Sequence, residues 1–358
     1  MRVMCTGSSG SDRIGYLRGV QELADKAKVE LEVCNVGDMM LQRASEMGSP
    51  VSREKILDLP PSTLGWLRGT VFEEIVRKAD AHDNTIIATH TCFRWKKFLS
   101  AAFDTYYLRQ LDPDFYVTIT DDYDAISRRL EETDQWRGRL QLWEILVWRD
   151  EESLITKILA QNFRKPYYLI AREEPPDILF DVMFRPARKK TYLSYPITAI
   201  EKDQPERLEE VQEFLTELRK YLTVFNPLAM KELEYARRLH EGQDEEITAD
   251  IMKLLEDQTV ARDYQLIDQS DMVIVYYPVK EPSPGVLSEL IYGFSHNKEV
   301  YMVFPYDISP FLKFYCTKIF RTGEELIDYL QESGIIDSED TGASAAPVAR
   351  SEVEGEGC

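Results

Sequence analysis

Short apolar runs alternate with amphipathic stretches along most of the chain. In the first half the apolar runs fall at residues 2–6, 30–34, 85–89, 115–118 and 166–171. Runs of this length, bounded by polar or turn-forming residues, predict buried strands, and the residues between them space their apolar positions as helices do. Strands that alternate with helices predict an α/β fold with parallel sheets.

The second half repeats this alternation. Strands are predicted at residues 272–277 and 300–304, with a short strand and turn at 224–227. A helix predicted at residues 206–222 has Leu, Val and Phe on one stripe and charged residues on its other face. This distribution is typical of a helix that covers a sheet, so we expect a parallel α/β sheet here too.

Two features divide the chain. Pro175-Pro176 and the basic segment 185–190 interrupt the pattern near the middle, and 358 residues are enough for two domains with separate cores. We therefore predict domains at residues 1–186 and 187–332. Residues 333–358 are rich in Gly, Ser, Ala and Glu without apolar periodicity, which predicts a disordered tail.

The overall composition restricts the classes of function that the chain could have. The net charge of −20 argues against binding polymeric nucleic acid, which needs a basic face, but not against binding one nucleotide in a local pocket. No apolar run is long enough to span a membrane, and the N-terminus is typical of a strand rather than a signal peptide. The five cysteines are odd in number and show no metal-ligand spacing, so we expect reduced thiols, a cytoplasmic location and no bound metal.

A glycine-rich turn follows the first predicted strand and leads into a helix predicted at residues 14–28. Strand, glycine-rich turn, helix and strand form the opening of a P-loop fold. Against the Walker pattern, Asp12 replaces the second glycine, Arg13 replaces the lysine, and Ile14 replaces the hydroxyl residue that holds Mg²⁺. ATP with Mg²⁺ is the cofactor of such a loop, and Asp12 and Ile14 argue against it here. The candidate nucleotide-binding residues are Gly7, Ser8, Ser9, Gly10, Ser11 and Arg13.

Further polar residues follow the other predicted strands of this half. Asp38 follows the second strand in a Gly-Asp-Met segment, Arg94 follows the third, and Arg128 and Arg137 flank a short segment after the fourth. With the loop they resemble nucleoside-monophosphate kinases of the adenylate kinase type. The resemblance implies acceptor-nucleotide contacts at Asp38 and Arg94 and a lid near Arg128 and Arg137. The alternative for the lid arginines is a solvated helical face, paired with Glu131, Glu132 and Asp134.

In the second half, a helix start carries a candidate catalytic carboxylate. After the strand 272–277, Ser283 and Pro284 fit the N-cap and first position of a helix whose second turn contains Glu289. In open α/β sheets, ligands bind outside the carboxyl ends of the strands, beside helix N-termini. Glu289 is therefore expected at a crevice. For an isolated glutamate, the alternative is a helix-start carboxylate favoured by the helix dipole.

Asp263, Ser270-Asp271, the strand 272–277, the segment 283–286 and Glu289 follow one another in a characteristic order. This order resembles the nucleoside 2-deoxyribosyltransferase family, including its 2'-deoxynucleoside 5'-phosphate N-hydrolase branch, over about residues 190–332. The resemblance implies a flavodoxin-like (Rossmann-type) domain, with Glu289 as nucleophile and Asp263 as its acid/base partner. Asp271 is equally well explained as a helix cap. The implied substrate contacts are Tyr192, Ser194, Tyr195, Ser283, Gly285, Val286 and Asp271.

The chemistry of this family requires two groups. Cleavage of an N-glycosidic bond passes through an oxocarbenium-like sugar, which one carboxylate stabilises or traps while a second group protonates the departing base. No cofactor is required. The loop 195–200 lacks the glycine and arginine of phosphate-specific relatives, so 5'-phosphate recognition would fall to Lys202 or a neighbouring subunit. The resemblance also implies a homo-oligomer.

These patterns lead to three hypotheses. The first is N-glycosidic cleavage or deoxyribosyl transfer on a small-molecule nucleoside or nucleotide through Glu289, with a non-catalytic nucleotide-binding front half. The second is a nucleotide-sensing regulatory module. The third is an active nucleoside-monophosphate kinase fused to a hydrolase-like domain. We favour the first from sequence because of the resemblance around Glu289. We rank the third lowest, because Ile14 removes the metal ligand and Asp12 crowds the phosphate site.

Overall fold

A computed structural model describes residues 1–96, 98–230 and 248–337. In these ranges the chain forms two five-stranded parallel sheets, one from each half. The predicted α/β fold with parallel sheets is therefore confirmed. No helix in the described part of the chain combines the length and apolarity that a bilayer span requires.

The front sheet matches the strands predicted in the first half to within two residues at each end. Its strands lie in the order β2-β3-β1-β6-β7, and the antiparallel hairpin β4–β5 was not predicted. The strands are β1 (Arg2–Thr6), β2 (Glu32–Asn35), β3 (Thr85–Ala88), β4 (Cys92–Trp95), β5 (Phe98–Ala101), β6 (Phe115–Thr120) and β7 (Tyr167–Ala171). The helices are α1 (Arg13–Ala27), α2 (Val36–Glu46), α3 (Pro61–Ala81), α4 (Thr105–Leu111), α5 (Tyr123–Glu131), α6 (Leu142–Asn162) and α7 (Asp177–Phe184), with a 3₁₀ helix at Arg53–Asp58.

The rear sheet has the order β12-β11-β10-β8-β9. Counted within its half, this is 2-1-3-4-5, one of the two common doubly wound orders, whose ligand crevice lies between strands 1 and 3. The strands are β8 (Lys190–Ser194), β9 (Thr223–Phe225), β10 (Met272–Tyr276), β11 (Glu299–Val303) and β12 (Lys318–Phe320). The helices are α8 (Ile197–Asp203), α9 (Arg207–Leu218), α10 (Ala249–Asp268), α11 (Pro284–Ser295), α12 (Pro310–Phe314) and α13 (Gly323–Glu332), with a 3₁₀ helix at Pro227–Ala229.

One apolar core runs through both halves. Leu179 of α7 and Val20 of α1 belong to the same buried cluster as Val224 of β9 and Ile274 of β10. Helix α7 packs against both α1 and β9, and so connects the two sheets. The halves share buried apolar surface rather than meeting only at a linker.

Two segments of the rear half can be compared with the prediction: the chain beyond residue 332 and the acidic residues 241–256. Ile336 is buried in the common core, so packing continues beyond residue 332, where the rear domain is predicted to end. Residues 338–358 of the predicted tail lie outside the described residues. The acidic sequence at residues 241–256 also predicts a helix; residues 241–247 lie outside the described residues, and α10 begins at Ala249.

Candidate functional site

The turn after β1 forms a tight loop, residues 7–12, at the start of α1. Gly7 has no room for a side chain, because a Cβ atom would lie 2.6 Å from both Ile119 O and Ser11 Oγ. Gly10 has a φ of 85°, in the left-handed region that favours glycine. The shape of the loop therefore depends on both glycines.

The carboxylate of Asp12 is hydrogen-bonded and paired with a cation. Its carboxylate caps α1 by accepting a hydrogen bond from Gly15 N at 3.2 Å. Arg172, just after β7, donates to it at 2.8 and 3.0 Å. The Asp12 carboxylate, which was expected to crowd a bound phosphate, thus serves as a helix cap and as one partner of an ion pair.

Arg13, which stands where a Walker loop has lysine, is buried. Its guanidinium donates to Gly7 O at 2.7 Å, and a second nitrogen lies 3.4 Å from His90 Nε2. Burial lowers the pKa of Arg13, while the nearby carboxylate of Glu152 raises it. The guanidinium group of Arg13 therefore makes its contacts mainly with other groups of the protein.

A cavity of about 650 Å³ opens beside this loop. Its lining includes the loop itself, His90, and the segment 132–137. The hydroxyls of Ser8 and Ser11 are buried and have no hydrogen-bond partner among the described residues. Buried hydroxyls normally find partners, so these two are available to a bound group at the N-terminus of α1.

Three arginines on other elements also line this cavity. Arg129 of α5 donates to Gly10 O at 2.8 Å and to Asp121 Oδ2 at 2.6 Å. Arg53 pairs with Asp38, which places that predicted residue at the edge of the site. The third, Arg137, pairs with Asp134 at 2.8 Å as the surface alternative expected, and still lines the cavity. Serine hydroxyls and guanidinium groups around a helix N-terminus suit a phosphorylated ligand.

Two other predicted nucleotide contacts lie elsewhere. Arg94 makes a doubly hydrogen-bonded ion pair with Glu151, with one bond of 2.6 Å, and does not line this cavity. Arg128 is exposed, and its neighbour Arg129 faces the cavity instead. Successive residues of a helix are about 100° apart, which explains why one of the pair faces the site and the other does not.

Glu152 of α6 was missed by sequence reasoning. It is fully buried and accepts hydrogen bonds from the amides of Gly7, Thr91 and Cys92 at 3.2, 2.8 and 2.9 Å. A signal for it exists in the sequence, because it lies at i+4 from the buried Trp148. A carboxylate on the buried stripe of a helix is rare unless it is paired.

In the rear half, the crevice between β8 and β10 brings together the predicted catalytic residues. Ser194 ends β8, and its hydroxyl donates to Glu289 Oε2 at 2.5 Å. Ser283 caps α11 by accepting from Val286 N at 3.4 Å, with Pro284 in the first turn, as predicted. The cap fixes where α11 begins and so directs Glu289 toward the end of β8.

Asp263 of α10 belongs to the same cluster. Its carboxylate accepts from Arg262 Nε at 3.1 Å, and both side chains are mostly buried. Burial raises the pKa of Glu289 to about 8, and the nearby Asp263 carboxylate adds to the rise. Burial also raises the pKa of Asp263, whereas Arg262 lowers it. Tyr192 is buried beside both carboxylates, which further raise its pKa.

Two predicted substrate contacts point to other places. Tyr195 donates to Asn226 Oδ1 at 2.9 Å, near the end of β9. Asp271 accepts from Lys190 N at 2.8 Å, at the beginning of β8. Because β8 and β10 are parallel, Asp271 lies at the amino ends of the strands, opposite the crevice. Asp271 is therefore a structural anchor, and its prediction as a substrate contact is not supported.

The start of α11 lines a separate cavity of about 430 Å³. Ser283 and Val286 contribute to it together with Met302 and Phe304, and Glu289 does not line it. Val286 and Leu290 form the buried stripe of the helix, and Glu289 is rotated from them toward β8. The structure thus divides the predicted rear site into a carboxylate cluster and an apolar cavity at the helix start. Gly285 is exposed.

Comparison with known proteins bears on the front half. The AAA domain family matches residues 19–142, which begin after the loop 7–12. An adenylate kinase from Methanothermobacter thermautotrophicus is 29% identical over 144 residues, which are 40% of this chain and 75% of that protein. In sequence, the front half is similar to P-loop kinases. A crystal structure of shikimate kinase from Bacteroides thetaiotaomicron is 15% identical and covers 52% of this chain and 97% of its own, with a TM-score of 0.33.

These matches do not extend to the chemistry of the rear half. They give no support to its resemblance to nucleoside 2-deoxyribosyltransferases, which stays a prediction. The kinase-like character of the front half agrees with the third sequence hypothesis at least as well as with the first.

Proposed function

We propose that this protein is a nucleotide-binding phosphotransferase whose site is the cavity beside the loop 7–12. The observation that carries the proposal is the pair of buried, unpartnered hydroxyls, Ser8 and Ser11, at the N-terminus of α1. A phosphate group would accept from both and would be favoured by the helix dipole. The similarity of the chain to an adenylate kinase supports a nucleoside monophosphate as the acceptor.

The reaction we propose moves the terminal phosphoryl group of ATP to a phosphate oxygen of a nucleoside monophosphate, which gives two nucleoside diphosphates. Phosphoryl transfer depends on positioning and charge stabilisation more than on a protein nucleophile. In this chain Arg129 and Arg53 would offset the phosphate charge, while the serine hydroxyls orient it. The cavity of about 650 Å³ is within the usual range for small-molecule sites.

The loop does not fit a Walker-type magnesium site. Ile14, at the position of the hydroxyl ligand, has no oxygen in its side chain. Among the described residues, no group of three His, Cys, Asp or Glu side chains could hold a metal ion. The roles proposed for Ser8, Ser11 and Arg129 therefore rest on direct contacts with the ligand.

The test combines binding with turnover. Calorimetry with ATP and with each nucleoside monophosphate, with and without Mg²⁺, measures affinity, and a coupled assay measures ADP formation. Ser8→Ala and Ser11→Ala should each weaken ATP binding roughly tenfold or more, as expected for a lost hydrogen bond to a charged group. Neither should lower the thermal midpoint, because neither hydroxyl has a hydrogen-bond partner among the residues that the structure describes.

A matched control is Thr85→Val. The Thr85 hydroxyl is also buried and unpartnered among the described residues, but it lies at the beginning of β3, away from the cavity. This variant should bind ATP as the wild type does. Unchanged affinity in both serine variants would exclude this site. ATP binding without any phosphoryl transfer would instead make the front half a nucleotide sensor.

A second candidate function has its own observation in the rear half. Two half-buried carboxylates, Glu289 and Asp263, lie with Ser194 at the switch point of a 2-1-3-4-5 sheet. A flavodoxin-like domain with N-glycosidase or deoxyribosyltransferase activity would use this pair. Arg262 favours the charged form of Asp263, so at neutral pH the proton shared by the pair resides mainly on Glu289.

This candidate is tested by release of free base from nucleosides and their monophosphates. If Glu289 is the nucleophile, the rate should rise as the pH increases toward about 8, because only the ionised carboxylate attacks. Glu289→Ala should then lose several orders of magnitude in rate. Base release that survives in this variant would exclude the assignment.

A further inference from the structure

The side chain of Glu152 accepts hydrogen bonds from two backbone segments beside the front cavity. Its Oε1 accepts from Gly7 N and Thr91 N, and its Oε2 accepts from Cys92 N. Gly7 opens the loop after β1, and Thr91 follows His90 in the segment between β3 and β4. One buried side chain therefore fixes the chain beyond the carboxyl ends of two neighbouring strands.

Both backbone polar groups of Gly7 are hydrogen-bonded to side chains. Glu152 accepts from its N–H group, and Arg13 donates to its C=O group at 2.7 Å. The two side chains carry opposite charges, and both are buried beside the residue they share. A buried carboxylate is costly without compensation, which here comes from the backbone amides and then from the charge of Arg13.

The same helix contributes a second anchor one turn later. Thr156 Oγ1 donates to Glu152 O at 2.7 Å and lies 2.8 Å from Thr6 Oγ1, the last residue of β1. Helix α6 thereby fixes both the end of β1 and the first residue of the loop. With Gly7 fixed, the Ser8 and Ser11 hydroxyls keep their positions at the cavity.

We propose that Glu152 is a positioning residue of the phosphate loop and that Arg13 is its counter-charge rather than a phosphate ligand. The inference rests on the proposed function, in which a nucleoside phosphate occupies the front cavity. It assigns position 13 a role different from that of a Walker lysine. The cations that meet the phosphate are then those of the opposite wall, with Arg129 nearest the loop at Gly10 O.

The experiment uses the full chain and two measurements. Hydrogen exchange of the ligand-free protein reports the loop, and calorimetry with ATP reports its function. In Glu152→Gln an amide group replaces one acceptor, so the three backbone amides cannot all be satisfied. Exchange in segments 7–12 and 90–93 should become at least about tenfold faster, and ATP affinity should fall by about tenfold or more.

Two further variants make the result specific. Glu152→Asp keeps the charge with a shorter reach and should fall between wild type and Glu152→Gln; it also carries the comparison if the glutamine variant does not fold. Asp181→Asn removes another buried carboxylate, which pairs with Arg185 and Arg188 away from the loop. It should leave loop exchange and ATP affinity unchanged, which separates positioning from a general loss of stability.

Arg13→Met completes a double-mutant cycle. If Arg13 is the counter-charge, combining it with Glu152→Gln should accelerate loop exchange by less than the two single effects multiplied. Independent effects, with Arg13→Met weakening ATP binding but leaving exchange unchanged, would make Arg13 a phosphate ligand and overturn the proposal. Wild-type exchange in Glu152→Gln would overturn it too. A wild-type protein that binds no nucleotide refutes the proposed function, while the exchange data still decide the role of Glu152.

Discussion

At the residue scale, Glu289 shows how burial changes the chemistry of a side chain that the sequence only locates. Its carboxyl accepts from Ser194 and lies near Asp263, and burial raises its pKa to about 8 from an ordinary value of 4.5. The side chain that resemblance identifies as a nucleophile therefore holds a proton at neutral pH. In this form the group could act only as an acid, and it would have to lose the proton before it could attack as a nucleophile.

This protonation predicts a pH dependence of stability. Between about pH 4.5 and 8 the folded protein keeps a proton on Glu289 that the unfolded chain loses, so the free energy of unfolding falls as the pH rises. The slope from one such group is at most on the order of 1.4 kcal/mol per pH unit. Glu289→Gln removes the titrating group, so its stability relative to wild type should increase across this range. Urea titrations at several pH values measure the difference.

The control for this prediction is Glu256→Gln, an exposed carboxylate on α10. It should keep the wild-type dependence on pH. If Glu289→Gln also keeps that dependence, Glu289 is ionised in the folded protein and the acid role is excluded.

At the scale of elements, the strands could be predicted because central parallel strands are buried on both faces. The run Met272–Tyr276, for example, is continuous and apolar. The N-cap at Ser283 was also predictable, since a cap is a local hydrogen bond between near neighbours. The hairpin β4–β5 was missed, because its short strands carry polar residues and one of them is exposed throughout.

The sites were less predictable than the elements, because their contacts join distant residues. Arg172 reaches Asp12 across 160 positions, and Glu152 reaches Gly7 across 145. No local pattern encodes such pairs, so the loop was interpreted as degenerate from its substitutions alone. In the folded protein, Asp12 caps α1 and pairs with Arg172, and Arg13 donates a hydrogen bond to Gly7 O.

At the scale of the whole molecule, polar contacts join the front and rear halves. Gln269, which follows the last residue of α10, accepts from the N–H group of Leu169 on the edge strand β7 at 2.8 Å and donates to its C=O group at 2.9 Å. Glu174, after β7, accepts from Arg219 at 2.5 Å and from Asn226 N at 2.7 Å. Buried polar contacts and the shared apolar core join the two sheets, so we expect them to unfold together.

The tryptophans allow this cooperativity to be tested. All five lie in the first half of the chain, so their fluorescence reports only on the front sheet. Leu326→Ala removes a fully buried side chain from α13 in the rear half and should cost about 2–5 kcal/mol. If the molecule unfolds as one unit, the tryptophan midpoint in urea should fall by the same amount as the midpoint from far-ultraviolet circular dichroism.

The control for Leu326→Ala is Leu287→Ala, also in the rear half. Leu287 is 43% exposed, so this variant should shift the urea midpoints only slightly. An unchanged tryptophan midpoint in Leu326→Ala, with circular dichroism lost in two steps, would mean that the halves fold independently despite their common core. One coincident transition would mean that a stability change in either half alters the other. In that case the loss of a rear side chain lowers the fraction of folded front sites as well, and any assay of the two sites has to be compared at matched stability.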